Sequence, residues 1–276
     1  MIVLLFALAA CAQQQEKYTS PAGYDLTMPE KFNLPDELLE ISGIAFKEGD
    51  PARMYAIQDE AGRVYHWKLG ESTIPHPKFG KSGDYEDISI ALGTVFVLRS
   101  DGTIFTFPLP SEDEKEITGV QEWKGLAPEG EYEGLYADPK TGSVYLLCKT
   151  CAADKKGAYI SGTVLQWTNE GRLEAAGQFS APTTKLQGYS NKKNIKFHPS
   201  ALAIHPQSGK WYILSSVNKL LVVADANWNV ETAYPLKPSL FLQPEGIAFD
   251  KNGNLYISNE GDKLEEGNVL KFSLKK

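Results

Sequence analysis

Glu245-Gly246-Ile247-Ala248-Phe249-Asp250, the turn Lys251-Asn252-Gly253-Asn254 and then Leu255-Tyr256-Ile257 form the stretch on which the fold is decided. An acidic residue opens a short β-forming run. Asp, Asn and Gly, which tolerate positive φ, make a hairpin turn, and an aromatic and β-branched run comes after it. The pattern recurs. Glu40-Ile41-Ser42-Gly43-Ile44-Ala45-Phe46 precedes Met54–Ile57, and Glu86-Asp87-Ile88-Ser89-Ile90 precedes Val95–Leu98. Glu133-Gly134-Leu135-Tyr136-Ala137-Asp138 precedes Val144–Leu147, and Ser200-Ala201-Leu202-Ala203-Ile204 precedes Trp211–Leu214. The starts at 40, 86, 133, 200 and 245 are spaced by 46, 47, 67 and 45 residues.

Such a period belongs to four-stranded propeller blades, which run about 40 to 50 residues. Third strands stand in each unit at Val64–Trp67, Ile104–Phe107, Val164–Trp167, Leu220–Val223 and Val269–Phe272, and no stretch keeps a helical period. The expected fold is all-β: a single propeller of five four-stranded blades, with six as the alternative count. The long third unit carries an insertion, best placed at Thr183–Lys196. The last unit ends after its third strand, so an N-terminal strand, read at Gly23–Thr27, closes the last blade and removes an exposed edge.

The chain has 276 residues, 42% of them hydrophobic and 23% charged, and a net charge of −7. That balance fits one globular domain and argues against nucleic acid, which needs a basic footprint. Met1–Ala10 is nearly all apolar but too short to span a bilayer, and fits a signal segment. It ends in Leu8-Ala9-Ala10-Cys11, which looks like a bacterial lipobox with Cys11 as the acylated residue. The expected organisation is a signal peptide at 1–10, a lipidated tether at 11–22 and the propeller at 23–276. The protein is then expected in the bacterial cell envelope, extracytoplasmic, held to the membrane by its N-terminal lipid only, and monomeric. Cys148 and Cys151 have no second pair for zinc and no adjoining helix for redox chemistry, so a local disulfide is the preferred reading over free thiols.

The first strand of each blade lines the central channel. Glu40, Glu86, Glu133, Ser200 and Glu245 are therefore expected at its mouth. The loops after the second strands add Asp59, Glu60, Asp101, Lys149, Ser216, Asn218, Asn259 and Glu260. At about 6 Å and an effective dielectric of about 20, each carboxylate pair repels by about 3 kcal/mol. A cation, water or raised pKa values must relieve this. Oxygen-only ligands favour Ca²⁺, with Glu40, Glu86, Glu133 and Glu245 as metal ligands. Two other readings stay open: the acids cap strands across blades, or they form a protonated or basic-ligand site. His198, two residues before Ser200, is a candidate base, whereas His66, His76 and His205 read as outer or turn residues.

As an ordered set, Leu38–Ala45, Tyr85–Ile88, Tyr132–Tyr136, His198–Ala203 and Gln243–Ala248 resemble the SdiA-regulated (YjiK/CarP-like) family of exported propellers. The resemblance runs from about Leu34 onward. It implies a small extracytoplasmic propeller with a link to calcium and brings no assigned reaction. Three functions remain: a cation- and ligand-binding envelope protein, a Ca²⁺-dependent lactonase, esterase or phosphoesterase, or a protein-interaction scaffold. The expected partners are a metal cation and a small molecule or protein.

Overall fold

The computed structural model describes residues 18–111, 113–151, 159–189 and 195–275. The signal, lipobox and Cys11 assignments lie outside them, as do Ser190–Asn194 of the expected insertion. Five antiparallel sheets succeed one another along the chain. Blade I is β2 (Ile41–Phe46), β3 (Met54–Gln58) and β4 (Tyr65–Trp67). Blade II is β5 (Tyr85–Ala91), β6 (Thr94–Arg99), β7 (Ile104–Pro108) and β8 (Gln121–Trp123). Blade III is β9 (Gly130–Ala137), β10 (Ser143–Cys151), β11 (Tyr159–Trp167) and β12 (Leu173–Pro182). Blade IV is β13 (Ala201–Ile204), β14 (Trp211–Ser215), β15 (Leu220–Ala224) and β16 (Val230–Pro235). Blade V is β17 (Pro244–Phe249), β18 (Leu255–Asn259) and β19 (Asn268–Phe272), completed on the outside by β1 (Glu30–Asn33).

The hydrophobic core falls into five clusters, one at each blade-to-blade interface. The cluster that joins Ile41, Ile44 and Phe46 of blade I to Ala248, Tyr256 and Val269 of blade V closes the ring. Five blades, the preferred count, is the number the structure contains. The outer position of blade I is filled by the stretch before Lys78. Val64 N–H donates to Pro77 O at 3.0 Å and His66 N–H to Pro75 O at 2.9 Å. Prolines 75 and 77 have no N–H to return, so this fourth member hydrogen-bonds without forming a regular ladder.

The N-terminal strand does close blade V, but it is Glu30–Asn33 and not Gly23–Thr27. Its register runs from Glu30 opposite Lys271 to Asn33 opposite Asn268. Gly23–Thr27 is a turn region: Gly23 sits at φ 85°, and the Asp25 carboxylate accepts from Thr27 N–H and Oγ. Tyr24 and Leu26 gave this segment a strand-like pattern because both are buried in the core between blades IV and V. The length of the third unit has two sources: its last three strands run 9, 9 and 10 residues, and Thr183–Tyr189 forms a 3-10 turn after them. Cys148 and Cys151 form a disulfide at the end of β10.

In blades I and V the residue after the ring position is glycine for a steric reason. A Cβ on Gly43 would lie 2.6 Å from the Asp87 Cα, and one on Gly246 2.6 Å from Ser42 O. Inner strands of adjacent blades meet there backbone against backbone.

Candidate functional site at the channel mouth

Four of the five inner strands carry a β-bulge, and in three of them the extra residue is a glutamate. Tyr85 pairs with Arg99 and Asp87 with Leu98, leaving Glu86 unmatched. Tyr132 pairs with Cys148 and Gly134 with Leu147, leaving Glu133. Pro244 pairs with Asn259 and Gly246 with Ser258, leaving Glu245. A bulge kinks the strand and re-aims the extra side chain. Here it turns three carboxylates towards one another: Glu133 acts on both Glu86 and Glu245, and Glu245 acts on Glu86.

Blade I does not keep to the expected alignment. Ser42-Gly43-Ile44-Ala45-Phe46 stands where blade V has Glu245-Gly246-Ile247-Ala248-Phe249. The bulge lies between Ile41 and Ile44. Ser42 thus takes the ring position and Glu40 lies two residues before it, exposed. Glu40 acts on the site through Asp59 and Glu260, whose ionisation it opposes. Ser200 holds the position in blade IV, buried, its hydroxyl donating to Pro244 O at 3.0 Å. It tethers blade IV to blade V.

The acids carry too little opposing charge. Burial, then Glu133 and Asp84, push Glu86 up to about 9, with Lys149 pulling the other way. Burial, then Glu245, Asp59 and Glu40, push Glu260 up to about 8. Glu245 rises to about 7 through burial and Glu133, restrained by the Ser216 hydroxyl, Lys149 and Lys219. Asp59 rises to about 6 through burial, then Glu40 and Glu60. Lys149 is the main internal counter-charge, at 2.5 Å from Glu133 and 3.2 Å from Glu131. Burial works to lower its pKa, and Glu133 outweighs burial, so it ends raised.

Blade-to-blade capping falls to other groups. Asp87 is fully buried, its Oδ2 accepting from Leu135 N–H of the next blade at 2.7 Å and its Oδ1 from Ile88 N–H at 2.8 Å. Ser89 Oγ accepts from Ala137 N–H, and Ser258 Oγ donates to Ser42 O. Sequence reading missed Asp87. The adjacent acids Glu86-Asp87 were a visible signal, but which of them faced the channel depends on the bulge.

The remaining predicted residues separate. His198, half-buried, lines a 270 Å³ cavity beside the mouth together with Glu133, Lys149, Ser200, Lys219 and Glu245. Asn218 fixes the backbone there: its Oδ1 accepts from His198 N–H at 2.9 Å and its Nδ2 donates to Lys196 O at 3.0 Å. Glu260 accepts from Gln243 Nε2 at 3.1 Å. Asn259 is buried, and its Nδ2 donates to Asn268 Oδ1. Asp101 is drawn away by Arg99 at 2.8 Å, which holds its pKa down to about 2. Glu60 is exposed at the rim. Sequence reading did not single out Lys219, which donates to Leu242 O at 2.5 Å and is lowered by burial.

The donors offered to a metal are all oxygens, which suits a hard cation. Among the described residues, however, no three His, Cys, Asp or Glu side chains already stand close enough together to hold one.

Residues 180–263 match the SdiA-regulated family model. The resemblance carried by the five motifs is thereby borne out over blade IV and much of blade V, the part that holds His198, Ser200, Glu245 and Glu260. No curated protein sequence matches the chain. Among solved structures, the propeller is similar to a luciferin-regenerating enzyme, at 10% identity and TM-score 0.57, with 89% of this chain and 95% of that one covered. It is similar to Myxococcus xanthus glutaminyl cyclase at 14% identity and TM-score 0.57, covering 89% and 94%. It is also similar to regucalcin of Agrobacterium tumefaciens strain C58, described as a calcium-binding protein, at 12% identity and TM-score 0.52, covering 92% and 94%. At these identities the likeness is one of fold.

Proposed function

We propose that the protein is a cation-binding propeller of the cell envelope, with Glu86, Glu133, Glu245 and Glu260 as the ligand set and Ca²⁺ as the preferred ion. One observation carries this reading: three bulged inner strands aim unpaired glutamates at a common axis, where their ionisation is strongly opposed. Glu86 and Glu260, pushed up to about 9 and 8, hold protons at neutral pH unless a hard cation replaces them. Binding requires the side chains to draw together, since they stand apart without the ion. Lys149 would release Glu133 in part. Glu40, expected in the ligand set from its place in the repeat, is held outside it by its register. Regucalcin supports the reading only as another propeller described as calcium-binding. The cavity beside the mouth is the place for a small partner of the bound ion, within reach of His198. In this reading Cys11 tethers the propeller outside the cytoplasm.

The test is thermal stability in EDTA and in graded Ca²⁺. A ligand that binds the native state raises Tm once its concentration exceeds Kd. Ca²⁺ should raise Tm in the wild type, and Glu86→Gln with Glu245→Gln should abolish the rise. A wild type indifferent to Ca²⁺ sinks the reading.

A further inference from the structure

Two residues beyond the glutamates, the same inner strands turn apolar. Ile44, Ile88, Leu135, Leu202 and Ile247, one from each blade, are all 5% exposed or less. They floor a second cavity of 570 Å³, which is walled further out by Phe46, Ile90, Ala137, Ile204 and Phe249. It opens between hairpin turns such as Asp138–Lys140 and Asp250–Lys251 on the face opposite the mouth. The two cavities share no lining residue.

We propose that this chamber is a second binding site, for an uncharged, drug-sized apolar molecule whose polar end lies at the turns. Its volume is in the range that encloses such ligands, and a few polar groups at an apolar pocket's edge fix orientation. The floor and inner walls are hydrocarbon, and the polar groups lie mostly at the turns. Of the two hydroxyl-bearing residues in the lining, Ser89 and Tyr136, Ser89 Oγ already accepts from Ala137 N–H. Water needs two to four polar partners to settle in a cavity, and apolar cavities instead take up apolar guests. Of the acids at the rim, Asp138 and Asp250 are occupied by their own turns, and Glu48 stands there with Lys140 and Lys251. Asp138 accepts from Lys140 N–H and Thr141 Oγ, and Asp250 from Asn252 and Asn254 N–H and Asn254 Nδ2. The rim therefore does not repeat the acidic ring of the mouth. The proposal does not rest on the cation reading.

The probe is N-phenyl-1-naphthylamine, uncharged and fluorescent in apolar surroundings. The expected result is saturable binding to the full chain, weakened about tenfold or more by Ile204→Trp, which fills the chamber from a half-buried wall position. The same binding should be unchanged in Glu86→Gln and in EDTA, which separates it from the mouth. Absence of saturable binding, or binding undiminished in a folded Ile204→Trp protein, overturns the proposal. If that variant does not fold, a crystal structure of the wild type with the probe decides: probe in the chamber supports the site, and probe elsewhere refutes it.

Discussion

The two ends of the central channel are built by the same five strands and are chemically opposite. At the mouth, Glu86, Glu133 and Glu245 occupy bulges and repel one another. Two residues on, Ile88, Leu135 and Ile247 return to regular pairing and close the channel with hydrocarbon. The difference teaches that the bulge, not the composition of the strand, divides polar from apolar. One unpaired residue re-aims the acid, and the resumed ladder buries the apolar side chains beyond it.

The strongest way to break the comparison is at its seam. Asp87 stands between Glu86 and Ile88 and holds Leu135 N–H of the next blade. Asp87→Ala leaves two buried N–H groups without an acceptor and should cost about 3 kcal/mol, read by urea denaturation. A loss under about 1 kcal/mol would mean that the two ends are not tied there.

A change of pH should distinguish the ends next. Glu86, Glu260 and Glu245 have folded pKa values near 9, 8 and 7, above the ordinary 4.5. The folded state therefore binds more protons than the unfolded one between these limits. Stability is fully present near pH 4.5 and is lost as pH rises towards 9. In EDTA, Tm should fall over that window, and Ca²⁺ or Glu86→Gln should flatten the fall. A Tm that climbs with pH would contradict the site's electrostatics, while probe binding in the chamber should stay level throughout.

Lys149→Met is a milder sharpening. Glu133, 7% exposed, loses its partner, which should cost about 1–2 kcal/mol at pH 7 in EDTA and enlarge the Ca²⁺-induced rise in Tm. The smallest effect should come from Glu40→Gln, within about 0.5 kcal/mol and with the Ca²⁺ response kept, because Glu40 lies outside the ring. Loss of the response in that variant would restore Glu40 as a ligand.

These residues also mark how far the sequence could be read. Blade number, strand order and the three bulged glutamates were legible, since hairpin turns and β-rich runs recur at a nearly constant period. The frame within a blade was less so. Counting from the acid put Glu40 in the ring, whereas aligning on Gly-Ile-Ala-Phe would have put Ser42 there. Asp87 and Lys149 acquire their roles only from neighbours 48 and 16 residues away. The closing strand was misplaced because Tyr24 and Leu26 are buried beneath the ring without pairing into it. The apolar chamber went unread because its lining residues are indistinguishable in sequence from ordinary core.

The pairing of β1 with β19 has a consequence for how the molecule is made. Glu30 and Lys271 meet at 2.8 Å across 241 residues. An emerging polypeptide can assemble blades I to IV in order, but the seam waits until β19 has left the ribosome. Until then blade V shows a bare edge, open to pairing with another chain. Joining β19 to β1 through a linker and cutting instead at the exposed hairpin Leu92-Gly93 should shift that vulnerable interval to another blade without altering the finished ring.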